Sequence, residues 1–206
     1  MTTEKTPPVA QTIVRNGKHD DSVIIETIAE KHFERAREIE NEFFGSGKGC
    51  CYGMCPFSWC PMTKEEFESI YRKDPDRCST YGLAIRQADQ LVIGVITLRQ
   101  GGQTSRFDEN LFHKPKNDEL YVDHIAVTTD ARGMGVGTKL LEWAEEKARE
   151  RKATRLSLGV VHGNPAKRLY DRFGYVDVST STCLPGCILG RPHGQFGAVM
   201  MEKELI

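Results

Sequence analysis

Residues 132–138, Arg132-Gly133-Met134-Gly135-Val136-Gly137-Thr138, have the composition of an anion seat. They lie between a predicted strand, Leu120 to Val127, and a predicted helix starting near Gly135. Alternating glycines at a strand-to-helix turn leave backbone N–H groups clear of side chains. A helix N-terminus adds partial positive charge, so a phosphate or pyrophosphate fits there. Spacing discriminates between ligands. A P-loop needs lysine directly after its last glycine, whereas here Thr138 separates Gly137 from Lys139. The dinucleotide fingerprint needs G-x-G-x-x-G, and Gly133, Gly135 and Gly137 give G-x-G-x-G. That fingerprint also expects an acidic residue closing a second strand, but the predicted strand Arg155 to Val161 runs into His162-Gly163.

A second cluster follows that strand: Asn164-Pro165-Ala166-Lys167-Arg168-Leu169-Tyr170-Asp171-Arg172-Phe173-Gly174-Tyr175. Asn164 suits a helix N-cap, Pro165 the first helical position and Gly174 the exit. With Arg132, Gly135 and Gly137 in its fixed positions, the first turn resembles the coenzyme A signature (Q/R)-x-x-G-x-(G/A) of the GNAT superfamily of N-acetyltransferases. The second cluster is similar to that family's N-x-x-A-x-x-x-Y-x-x-x-G-(F/Y) motif, with Ala166 one position early. The resemblance spans roughly residues 80 to 204 and, more loosely, the N-terminal elements. It implies a GNAT fold: an α/β architecture with a mixed, mostly antiparallel sheet, splayed central strands and helices on both faces.

Acyl transfer from a thioester to an amine requires a deprotonated amine, a polarised carbonyl and a proton for the departing thiolate. Tyr170 matches the tyrosine that serves as general acid in many family members, and a phenol stays protonated at neutral pH; the alternative is that it only packs between helix and sheet. Strand alternation puts Glu119, Tyr121, Asp123 and Ile125 on one face and Leu120, Val122, His124 and Ala126 on the other. A carboxylate inside a strand calls for an explanation. Asp123 is therefore the first candidate base, with Glu119 and Tyr121 behind it, and a structural ion pair is the competing reading. His124 is expected on the opposite side. By resemblance, the stretch Ile125, Ala126 and Val127 meets the pantetheine arm and thioester, chiefly through the amides of Ile125 and Val127. The turn from Arg132 through Gly133, Met134, Gly135, Val136 and Gly137 to Thr138 holds the pyrophosphate. Asn164 bonds the pantetheine arm, and Lys167 either approaches the phosphates or is solvated.

The cysteines depart from the family pattern. Cys50, Cys51, Cys55 and Cys60 crowd one aromatic-rich loop, and Cys183 and Cys187 lie between the closing strands ahead of His193. Three readings stay open: a structural zinc site drawn from Cys51, Cys55, Cys60, Cys183, Cys187 and His193, disulfides, or free thiols packing in a lid. Tyr52, Phe57, Trp59 and Met62 suggest an apolar lid over a small or aromatic-bearing acceptor.

The elements that must position these groups follow from periodicity. A tail over 1–10 is expected to be disordered, and residues 11–206 to form one domain. Thr12 to Arg15 reads as a strand, and Asp20 as the cap of a long helix from Ser22 to about Phe44. A cysteine-rich loop spans 45–62. Thr63 and Glu66 form a capping box for a helix to about Arg72. Tyr81 to Gln87 and Leu91 to Arg99 read as a hairpin, and 100–118 as a long polar loop. Closing strands are expected at Tyr175 to Thr182 and Gln195 to Glu204.

The chain has 206 residues and a net charge of −1, enough length for one substantial core and no charge footprint for nucleic acid or an anionic membrane. No apolar run approaches the ~18–20 residues of a transmembrane helix, and the N-terminus lacks a signal core, so a cytoplasmic location is expected. The expected partners are acetyl-CoA and an amine acceptor, and a second copy of the chain in a homodimer. The implied activity is N-acetylation of a primary amine, small-molecule first, by direct attack in a ternary complex. The alternatives are a protein or peptide N-acetyltransferase and a non-catalytic acetyl-CoA-binding or thiol- or metal-sensing module.

Overall fold

The computed structural model describes residues 22–44, 62–103, 113–181 and 197–205. The strand expected at Thr12 to Arg15, the tail, and nearly all of the loop 45–62 lie outside these residues. So do the zinc candidates Cys51, Cys55, Cys60, Cys183, Cys187 and His193.

The elements in chain order are β1 (Val23–Thr27), a 3-10 turn (Glu30–His32), α1 (Phe33–Phe44), α2 (Lys64–Lys73), α3 (Pro75–Ser79), β2 (Tyr81–Arg86), β3 (Leu91–Gln100), β4 (Glu119–Val127), a second 3-10 turn (Thr129–Ala131), α4 (Val136–Glu150), β5 (Arg155–Val161), α5 (Lys167–Phe173), β6 (Val176–Ser181) and β7 (Ala198–Glu204). The strands make a seven-stranded sheet in the order β1-β2-β3-β4-β5-β7-β6. Among the described strands only β4 and β5 pair in parallel, and α4 supplies the crossover that a parallel pair requires.

The long helix expected from Ser22 is corrected: its first part is a strand. Val23-Ile24-Ile25 are β-branched, which restricts χ1 in a helix and favours a pleated surface. They pair with β2 in antiparallel register from Val23↔Arg86 to Thr27↔Gly82. The helical spacing of Ile24 and Ile28 is coincidental; the true apolar stripe begins at Phe33. Ahead of α2, the capping box of Thr63 and Glu66 is complete in both directions. A short helix, α3, was not anticipated; Asp74 caps it by accepting from the Asp76 and Arg77 N–H groups.

Each face of the sheet has its own core. On one face Leu140, Leu141, Ala144 and Ala148 of α4 pack with Ile96, Leu98, Leu120, Val122 and Tyr170. On the other, Phe33, Ala36 and Ile39 of α1 and Phe67 and Tyr71 of α2 pack with Leu83 and Val95. Full burial of such side chains stabilises by about 1.5–3 kcal/mol each.

Candidate active site

β4 and β5 pair only from Glu119↔Arg155 to Val122↔Leu158, although β4 runs on to Val127 and β5 to Val161. Beyond Val122 the two strands splay apart, leaving backbone groups facing a gap. Their direction follows from the neighbours. The His124 N–H donates to Thr97 Oγ1 at 3.1 Å and the Thr128 N–H to Ile93 O at 2.9 Å, both toward β3. Alternation then turns the Ala126 N–H toward β3 as well, and the Ile125 and Val127 N–H groups toward the gap.

The glycine turn lies just past the end of that strand. Gly133 and Gly135 have φ of +78° and +80°, the left-handed region that costs a side chain-bearing residue roughly 1–2 kcal/mol. A Cβ at either would meet nothing within 4 Å, so conformation, and not space, calls for glycine. Gly137 differs: a Cβ there would sit 2.9 Å from Leu169 Cδ2, so this glycine lets α4 and α5 pack closely. Gly135 is the N-cap of α4, with no side-chain cap and no acidic residue in the first turn. The Thr138 and Lys139 N–H groups bond to the Gly135 carbonyl at 3.0 and 3.1 Å, so the amides ahead of Thr138 are the ones placed to meet an anion. Arg132 stacks 5.4 Å over the Phe43 ring, joining the turn to the end of α1. Met134 stands exposed at the tip.

In the second cluster, Asn164 Oδ1 accepts from the Ala166 N–H at 2.9 Å and its carbonyl from the Lys167 N–H at 3.1 Å. It therefore caps a tight first turn ahead of α5, and Gly174 closes the helix at φ +96°. Lys167 Nζ pairs with Asp171 and Asp177, each at 2.9 Å. Tyr170 is 6% exposed and stacks edge-on to Tyr175, centroids 6.1 Å apart. Its hydroxyl has no hydrogen-bond partner among the described residues. Burial pushes its pKa up to about 12, so it holds its proton at any physiological pH.

A row of polar side chains lies on the opposite face of β4. Glu119 is buried, and it accepts from His113 Nε2 at 2.6 Å, the Lys116 N–H at 3.0 Å and the Ser157 hydroxyl. Burial alone would raise its pKa, but the bonds from His113, Ser157 and Lys116 hold it down at about 2. Tyr121 is pushed well above the ordinary phenol range by burial and by the Asp123 charge. Its ring lies 4.8 Å from His113 and under the Arg99 guanidinium at 5.6 Å. Asp123 is held by Arg99 in a two-pronged ion pair, Nε to Oδ2 at 3.0 Å and Nη2 to Oδ1 at 2.9 Å, with side chains 4% and 13% exposed.

Asp123 also breaks the pleat. Leu98 pairs with Val122 and Thr97 with His124, so Asp123 is the extra residue of a β-bulge. A bulge advances the strand by one residue without a partner, which reverses the alternation after it. Ile125 and Val127 accordingly pack toward α4, and Ala126 joins the core under α1 and α2. The expectation for His124 is therefore corrected: it lies on the same face as Tyr121, with Nδ1 4.0 Å from Glu40 Oε1 of α1. Glu40 is 5% exposed and accepts from the Tyr81 hydroxyl at 2.8 Å.

Several of these residues escaped sequence reading: Arg99, His113, Ser157, Glu40, Tyr81 and Thr97. Two carried a signal. Arg99 ends an otherwise apolar strand, and Glu40 interrupts the buried stripe of α1. Among the described residues, no group of three or more His, Cys, Asp or Glu forms a metal cluster.

A family profile described as the acetyltransferase (GNAT) family matches residues 33–175. Nothing among curated protein sequences matches the chain. Solved structures do. A GCN5-related N-acetyltransferase from Kribbella flavida is 18% identical, covering 90% of this chain and 99% of that one, with a TM-score of 0.65. YncA from Salmonella typhimurium, solved with its cofactor acetyl-CoA, is 15% identical over 90% and 95%, at 0.65. A ribosomal-protein-alanine N-acetyltransferase from Brucella melitensis is 17% identical over 88% and 99%, at 0.64. At these identities the likeness is one of fold.

Proposed function

The chain belongs to the GNAT acetyltransferase family, an acetyltransferase that takes acetyl-CoA as its donor, and on that premise we propose that it N-acetylates a primary amine of a small molecule by direct attack within a ternary complex. The observation that carries the donor side is the combination of the β4/β5 splay with the left-handed glycine turn at the head of α4. The gap-facing Ile125 and Val127 amides suit the pantetheine arm and the thioester oxygen. The amides of the turn from Gly133 to Gly137 suit the pyrophosphate, beside the Thr138 hydroxyl.

The acceptor nitrogen attacks the thioester carbon, and its C–S bond breaks. Tyr170 supplies the proton to the departing sulfur from the α4–α5 side of the sheet. On the other face, Glu119, Tyr121 and Asp123 line the approach of the amine. The carboxylates of Glu40, Asp123 and Glu119 on that face favour an acceptor that arrives as an ammonium. Glu119 and Asp123 are committed to hydrogen bonds and to Arg99, which suits them to positioning the tract.

A protein or peptide acceptor is the second reading, motivated by the Brucella relative's name. The test is thiol release from acetyl-CoA across arylalkylamines, polyamines and peptides with free N-termini. Turnover with small amines supports the reading; turnover with peptides alone replaces it with the second; coenzyme A binding without release from any acceptor points to a non-catalytic module.

A further inference from the structure

We propose that His124, turned onto the acceptor face by the bulge at Asp123, is the group that removes the proton from the acceptor ammonium, with Glu40 positioned behind it to hold the imidazolium. This rests on the acetyltransferase reading above. Regular alternation would bury His124 toward α4, away from the acceptor. The bulge places it next in sequence to Ile125, whose amide faces the gap, and on the face shared with Tyr121. The Thr97 hydroxyl takes up the His124 N–H at 3.1 Å, so the bulge is stitched to β3 and the ring's anchor point is fixed.

The His124 side chain is 39% exposed, while Glu40 behind it is buried. A ring open on one side and backed by a carboxylate on the other can exchange protons with an incoming ligand. Glu40 Oε1 is 4.0 Å from Nδ1, too long for a hydrogen bond but close enough for charge to favour the protonated ring. The Tyr81 hydroxyl, at 2.8 Å, fixes the Glu40 carboxylate. Among the described residues, the other charged groups on this face are the Arg99–Asp123 pair from β3 and β4 and Glu119 with its partner His113.

His124 takes one proton from the ammonium, which frees the nitrogen lone pair to form the N–C bond. The adduct nitrogen releases its second proton, which restores Tyr170 after Tyr170 has protonated the sulfur. The imidazolium returns its proton to water between turnovers, so one acetamide, one thiol and one proton are formed.

The experiment is the pH profile of kcat/KM with one active amine for wild type, His124→Ala, His124→Gln and Glu40→Gln, with coenzyme A affinity measured in parallel. His124 variants are expected to lose about 10²-fold at neutral pH. They are also expected to lose an inflection that the wild-type profile shows on its acid side, and to keep coenzyme A affinity. Added imidazole is expected to restore part of the His124→Ala rate. Glu40→Gln is expected to lower kcat/KM by less than the His124 variants do and to move that inflection to lower pH. A His124 variant that keeps the wild-type rate and inflection overturns the proposal. So does a loss of rate matched by a loss of coenzyme A binding, which marks a structural role. Wild-type protein inactive with every amine fails the acetyltransferase reading itself, before any variant is made.

Discussion

Replacing Tyr170 by phenylalanine separates its chemical role from its packing role, because the structure sets opposite expectations for each. The ring is 6% exposed in the core beneath α4, and Phe keeps all of its apolar contacts. The hydroxyl has no hydrogen-bond partner among the described residues, so deleting it breaks no bond with them. Thermal stability should therefore stay within about 0.5 kcal/mol of wild type or rise slightly. Catalysis should not survive equally well. A positioned general acid contributes about 10²-fold to 10⁴-fold, so kcat should fall by at least about 10²-fold, near 3 kcal/mol of barrier. KM for acetyl-CoA should change little, since the lost interaction belongs to the departing sulfur. With its pKa pushed to about 12, Tyr170 adds no inflection at physiological pH, so the loss should be uniform across the profile. Melting curves and initial rates of thiol release measure both quantities on one preparation. Undiminished kcat in a normally folded Tyr170→Phe protein would refute the acid role. A large loss of stability would refute the reading of its hydroxyl.

Three further outcomes follow from the site's geometry. Gly135→Ala places a methyl in open space at φ +80°; the strain of roughly 1–2 kcal/mol should weaken coenzyme A binding by calorimetry about tenfold, and unchanged affinity would count against the anion seat. Asp123→Asn leaves Arg99 buried without its counter-charge, so urea unfolding should show a loss of about 3 kcal/mol, whereas a change below about 1 kcal/mol would mean that the pair behaves as a surface bridge. The Glu119 carboxyl titrates at about 2 when folded, against 4.5 when free. Its folded value is the lower, so its contribution, on the order of 3 kcal/mol, is present above 4.5 and lost as pH falls toward 2. Glu119→Gln should flatten that acid limb in pH-dependent denaturation.

Local signals carried much of the architecture. Glycine and Asn-Pro punctuation, capping boxes and period-two apolar runs located the glycine turn, α2, the hairpin β2–β3, β5 to the residue, and the exit of α5 at Gly174. β1 was misread because Val23, Ile24 and Ile28 fit a helical stripe as well as a strand, and only pairing with β2 decides between them. The site was legible where a single residue type at a single spacing carried it, as in the glycine turn. It was illegible where chemistry depends on register. No local pattern announces that Asp123 is an unpaired bulge residue, because the bulge exists only against Leu98 and Thr97 of β3. That one register shift reverses the side of His124, on which the proposed choice of base rests. Arg99 and Glu40 could have been flagged as charges in apolar stripes, but their partners at Asp123 and Tyr81 belong to other elements and needed the fold.

The most direct measurement of the central claim is the initial rate of thiol release at several fixed concentrations of an active amine while acetyl-CoA is varied, with the acetylated product identified by mass spectrometry. Direct attack across the β4/β5 gap is expected to give intersecting double-reciprocal lines and one acetamide for each thiol released. Parallel lines with an acetylated protein intermediate, or thiol release without acetamide, would contradict it.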